Sequence, residues 1–141
     1  MAKLIFIDTN VMLDFMVQRQ PHFFFVERLF ELAYSKETQL IASSLSYINC
    51  HYILRRHGMS EDHTRRLLKN MRTLCSAVHI DQSIIDTAFN STFADMEDGV
   101  QHLCALEAKA DAIVTRDEKD FKQSLLPIMS PGQAIAWILQ S

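Results

Sequence analysis

The chain has 141 residues, of which 48% are hydrophobic and 22% charged, with a formal net charge of -3. That is the size and balance of one ordinary globular domain, so 1–141 is expected to form a single unit, and two independent cores, disorder and fibrous repeats are excluded. The apolar opening Leu4-Ile5-Phe6-Ile7 stops at Asp8, far short of the roughly 20 residues of a membrane span and too short for a signal-peptide core. Cys50, Cys75 and Cys104 form no close pair of the zinc or disulfide type, so the expectation is buried thiols, a cytoplasmic setting and no membrane.

In chain order, Leu4 to Ile7 has the pattern of a strand buried on both faces. After Pro21, the apolar residues Phe25, Val26, Leu29, Phe30 and Ala33 recur at helical spacing. Leu40-Ile41-Ala42 reads as a short strand. Ser43 or Ser44 then caps a helix with Leu45, Ile48, Tyr52 and Ile53 on its inner face, closed by Gly58. Ser60 caps the next helix, with Glu61 and Asp62 in the first turn and Leu67, Leu68 and Met71 inward. Ala77 to Ile80 is a third strand, followed by Ile84, Ile85, Ala88 and Phe89 at helical spacing. A helix from about Asp95 to Lys109 precedes the strand Ala112-Ile113-Val114-Thr115. Pro127 to Met129 is a last short strand, and Ser130-Pro131 opens a terminal helix. This alternation predicts a three-layer α/β/α fold with a mostly parallel central sheet. Core packing is the expected fate of Phe23-Phe24-Phe25, Tyr47 and Tyr52.

The charge of -3 hides two opposite regions. Between His51 and Cys75, Arg55, Arg56, Arg65, Arg66, Lys69 and Arg72 stand against Glu61 and Asp62, a local +4. Between Asp81 and Asp120, ten acids stand against Lys109, Arg116 and Lys119, a local -7. Each run alone reads as a solvated helix face; together they read as a carboxylate cluster for cations beside a flank for a polyanion.

Ligand sites of open parallel sheets lie beyond the carboxyl ends of the strands. Asp8 follows the first strand and Asp117 follows the strand ending at Thr115, so both fall on one edge. Asp95 and Asp98, three apart near a helix start, share a face and can point into the same cleft. Three or four converging carboxylates repel one another unless a hard divalent cation with oxygen ligands is present, which implies Mg2+ or Mn2+. Taken singly, Asp8 and Asp117 are equally turn formers, Asp95 an N-cap and Asp98 a dipole partner. Asp111 precedes its strand and belongs to the opposite edge.

Four segments in order carry a resemblance: Ile5-Phe6-Ile7-Asp8-Thr9-Asn10-Val11, Ser43-Ser44-Leu45-Ser46, Phe93-Ala94-Asp95-Met96-Glu97-Asp98 and Ile113-Val114-Thr115-Arg116-Asp117. Across essentially the whole chain the sequence resembles the PIN domain, a family made up largely of small metal-dependent ribonucleases. The resemblance implies Asp8, Asp98 and Asp117 as metal-binding catalytic acids; Asp95, placed beside Asp98 by its spacing, is expected to serve the metal as an extra acid. Many members carry a glutamate on the central helix where this chain has Asn49, an amide that can coordinate but brings no charge; Asn49 is equally a polar residue at a partly buried position. Thr9, Asn10 and Thr115 suit donors that orient carboxylates. Arg116 suits a phosphate contact or a plain counter-ion, and Arg55 and Arg56 suit an RNA flank. By resemblance to bacterial toxin members, the expectations are an RNA substrate, an antitoxin partner and a homodimer. A PIN-like module that binds nucleic acid or protein with little or no cleavage is the alternative. A haloacid-dehalogenase-type phosphatase needs an acid where Asn10 stands, and a receiver domain needs an acidic pair and a late lysine that are not evident.

Overall fold

The computed structural model describes residues 2–140. Five strands form one parallel sheet in the order β3-β2-β1-β4-β5: β1 (Lys3–Ile7), β2 (Thr38–Ser43), β3 (Cys75–Val78), β4 (Ala112–Val114) and β5 (Ile128–Met129). Around it lie α1 (Thr9–Met16), α2 (Phe23–Tyr34), α3 (Ser44–Arg56), α4 (Glu61–Leu74), α5 (Gln82–Phe89), α6 (Met96–Glu107) and α7 (Pro131–Leu139), with a 3-10 turn at Glu118–Phe121. The expected α/β/α architecture is present. No helix among the described residues is long and apolar enough to cross a membrane.

The period-2 alternation of the strands divides the core. Ile5, Ile7, Leu40, Ala42 and Val114 face one cluster, packed by α1, α2, α3, α4 and α7. Phe6, Ile41 and Ile113 face the other, packed by α5, α6 and the 3-10 turn. Because both faces are covered, the central strands read as unbroken apolar runs rather than alternating ones. The strand order reverses direction at β1, between its neighbours β2 and β4. A crevice at the carboxyl ends of β1 and β4 is therefore the topological switch point where ligands bind in such sheets.

Three local expectations need correction. First, α1 occupies Thr9–Met16, to which the sequence pattern assigns no element; Val11, Met12, Leu13 and Met16 are all buried, so this short helix has little polar face to betray its period. Second, α3 is phased differently. Its buried stripe is Ser46, Cys50 and Leu54, whereas Ile48 and Tyr52 are 68% and 61% exposed. Ser46 lies inside because hydrogen bonds satisfy it, which a purely apolar pattern misses. Third, Phe24 and Phe25 are exposed, because Val26, Leu29, Phe30 and Leu32 already fill the inner stripe of α2; Phe23 is half-buried 6.1 Å from Phe15. Tyr47 does reach inward, its hydroxyl donating to the Cys75 carbonyl. All three cysteines are buried and free, as expected.

Candidate metal centre

The first strand delivers Asp8 into a capping role and a site at once. Its Oδ1 accepts the Thr9 amide at 2.8 Å and starts α1. Its Oδ2 accepts the Thr115 hydroxyl at 2.8 Å and the Asn10 side-chain amide at 3.3 Å. The same Asn10 amide donates to Asp117 Oδ2 at 3.1 Å, so one residue of α1 spans the carboxylates that follow β1 and β4. Thr115, fully buried, also accepts the Asp117 backbone amide at 3.0 Å. Asp8, Asn10, Thr115 and Asp117 thus form one hydrogen-bonded unit at the switch point.

Beneath it lies a polar floor. Thr9 and Ser46 hydroxyls meet at 2.8 Å, Ser43 Oγ donates to Ser46 Oγ at 3.2 Å, and the buried Gln101 Nε2 donates to Ser46 Oγ at 2.8 Å. Through these bonds α1, α3 and α6 are held in register at the strand ends. Gln101 Oε1 has no hydrogen-bond partner, the sole such buried side-chain atom among the described residues.

α6 supplies the remaining acids. Asp95 is the N-cap, its Oδ1 accepting the Asp98 amide at 3.2 Å, so the capping interpretation of Asp95 holds and one of its oxygens is engaged there. Asp98, in the first turn, is pushed up to about 7, first by burial and then by the charges of Asp95, Asp120, Asp8 and Glu97. Asp8 is raised by burial, an effect countered by its Thr115 and Thr9 hydrogen bonds and reinforced by Asp117 and Asp120. Glu97 is raised by burial and by Asp95 and Asp8, while Asn49 Nδ2 donates to its Oε1 at 3.0 Å. Glu97 and Asp120 thus belong to the same electrostatic cluster. Sequence spacing left both out: Glu97 sits between two better-placed aspartates, and Asp120 follows the strand at a distance that only the 3-10 turn folds back.

The basic candidates are placed elsewhere. Arg116 donates to Asp14 from Nε at 2.6 Å and from its terminal nitrogen at 3.3 Å, and Asp14 is fully buried. Arg116 is therefore a counter-ion of Asp14, which Arg19 also approaches at 3.6 Å, because a buried carboxylate requires a partner. Arg55 bonds the Met59 carbonyl and Arg56 lies against Tyr52. Both end α3, roughly 14 Å along the helix from Ser46 at 1.5 Å per residue, so neither adjoins the acids. The exposed basic residues Arg65, Arg66, Lys69 and Arg72 lie on α4. His102 is buried against Phe93, with Nε2 accepting the Leu125 amide. Asp111 accepts the Leu4 amide at the opposite sheet edge, as expected.

The donor set fits a hard divalent cation. It is built of carboxylate oxygens; burial and neighbouring charge drive Asp8, Glu97 and Asp98 toward protonation, and among the described residues none of Asp8, Glu97, Asp98 and Asp117 forms an ion pair. No three of them come within 4.8 Å of one another. Among the described residues, the one trio of potential ligands that does, His79, Asp81 and Glu107, is on the surface and shares no residue with them. The Asn10 amide between Asp8 and Asp117 bridges the pair at the separation seen.

The family described as PIN domain matches residues 4–119. No curated protein matches the chain in sequence. Among solved structures, VapBC2 of Rickettsia felis, bound to a DNA fragment from its promoter, is 15% identical over 90% of this chain and 97% of that one, with a TM-score of 0.66. A toxin-antitoxin complex from Klebsiella pneumoniae is 18% identical over 90% and 97%, with a TM-score of 0.66. VapC20 of Mycobacterium tuberculosis, a toxin that cleaves the sarcin-ricin loop, is 13% identical over 77% and 86%, with a TM-score of 0.60.

Proposed function

Because the chain belongs to the PIN domain family, we propose that it is a Mg2+- or Mn2+-dependent endoribonuclease that hydrolyses RNA phosphodiester bonds and acts as the toxin of a toxin-antitoxin pair. The observation that carries this reading is the joining of Asp8 to Asp117 through Asn10 and Thr115 at the switch point, within the electrostatic reach of Asp98. Asp8, Asp98 and Asp117 would hold the cation, and Asp95 offers it one free oxygen. Lewis acidity toward water and phosphate is the chemistry a divalent cation supplies when bound.

The chain's own residues do the rest. Thr115 and Asn10 fix the Asp8 carboxylate in a single orientation, so its oxygens need no rearrangement when a phosphodiester arrives. Thr9 and Ser46 hold α1 against α3 and keep the site's floor rigid. No covalent protein nucleophile is required. The toxin assignment, a cytoplasmic setting, an antitoxin partner and a homodimer are supported by family membership and by the toxin-antitoxin complexes among the structural neighbours.

The test is cleavage of single-stranded RNA with Mg2+ or Mn2+, with EDTA and with the Asp8→Asn variant. Metal-dependent cleavage that disappears in Asp8→Asn supports the reading. Cleavage persisting in that variant sinks the site assignment, and a wild-type chain that binds RNA without cutting it is instead the non-cleaving module.

A further inference from the structure

We propose that Glu97, presented by Asn49, is a metal-binding acid of this site, so that α6 supplies the carboxylate that α3 lacks. The inference rests on the metal-dependent reading above and concerns which residues complete it. α3 places the half-buried Asn49 one turn beyond Ser46, which touches Thr9 on the floor of the site. From there its amide reaches across to α6 and donates to Glu97 Oε1 at 3.0 Å, a contact between residues 48 apart. An ionised carboxylate only accepts, so the nitrogen end of the Asn49 amide must face it. Asn49 is therefore a donor that positions an acid rather than an amide oxygen offered to a cation.

A glutamate in the first turn of a helix is ordinarily explained by the dipole. That account leaves the contact with α3 unexplained, since a dipole partner can extend into solvent. Glu97 stands between Asp95 and Asp98 at the start of α6, one neutral donor holds it, and among the described residues no lysine or arginine forms an ion pair with it. Asp95, whose Oδ1 caps α6, is less free to fill that place. A site with this arrangement keeps the carboxylate count of one with a glutamate on α3, and charge count tunes affinity for hard cations.

The experiment is calorimetric titration of the full chain with Mn2+ alone, comparing wild type, Glu97→Gln, Asn49→Ala, the double variant Asn49→Glu with Glu97→Gln, and Asp8→Asn. Gln keeps the oxygen that Asn49 bonds and removes only the charge, and melting in EDTA verifies that each variant is folded. Glu97→Gln is expected to weaken Mn2+ binding about tenfold or more, and Asn49→Ala about tenfold. The double variant, with the acid moved to α3, is expected to recover most of the affinity. Wild-type affinity in Glu97→Gln overturns the proposal while leaving the metal site standing, as does a double variant that recovers nothing. Absence of Mn2+ binding by the wild type, or unchanged binding by Asp8→Asn, removes the underlying metal reading and this proposal with it.

Discussion

Thr115 shows how much one hydroxyl can carry. It donates to Asp8, accepts from the Asp117 amide and stands 3.4 Å from the Asn10 amide, all while fully buried. Thr115→Val keeps the shape and removes these bonds, so urea denaturation should show a loss of about 1.5 to 3 kcal/mol, the range for hydrogen bonds to charged groups. It also removes a donor that lowers the Asp8 carboxyl, so the pH profile of metal-dependent cleavage should move to higher pH. Asp98 gives a second residue-scale expectation. Its carboxyl is raised from 3.8 to about 7, so the folded chain keeps a proton that the unfolded chain has lost. The associated stability is complete below the unfolded value and disappears as pH rises through the folded one. Metal-free melting temperatures should therefore fall between pH ~4 and ~7, while Mn2+ affinity, which competes with that proton, should rise over the same interval. A flat affinity across it would show that Asp98 does not bind the metal.

The elements depend on buried polar links as much as on apolar packing. Asp14 on α1 holds Arg116, which lies between Thr115 and Asp117, so this ion pair ties the first helix to the loop after β4. The buried member of the pair is Asp14, which Arg19 also approaches at 3.6 Å. Arg116→Ala leaves that carboxylate buried with only the longer contact, so it should cost about 3 kcal/mol in urea denaturation and weaken Mn2+ binding as well; a change confined to stability would separate the helix anchor from the site. These links also explain what the sequence could disclose. The caps Ser43, Ser60 and Ser130 and the glycine stop at Gly58, whose φ is +94°, were legible because capping chemistry is local. α1 was not, since a short helix buried almost all round has no period to reveal. The phase of α3 was hidden too, because Ser46 is an inner residue only through partners on α1 and α6.

At the scale of the molecule, the acidic total and the basic helix occupy different surfaces. Arg65, Lys69 and Arg72 follow at helical spacing on α4, all exposed, whereas the acids gather at the ends of β1, β4 and α6. If α4 tracks an RNA backbone, replacing these three by alanine should reduce the slope of log affinity against log salt by about 0.7 per lost phosphate contact, measured with the cleavage-deficient Asp8→Asn chain. An unchanged slope would place the RNA elsewhere.

Apart from α1, the order of strands and helices, the parallel sheet and the common edge of Asp8 and Asp117 followed from the amino-acid sequence alone. Periodicity, caps and βα alternation are short-range properties, and the handedness of βα units turns them into a topology. Only the tertiary structure decided which charges meet. It turned Arg116 toward Asp14, set Arg55 and Arg56 at the far end of α3, engaged Asp95 as a cap and brought Glu97 to Asn49. Those pairings join residues separated by up to 102 positions. Their strength comes from burial and distance, which exist only once the sheet has brought the strand ends together.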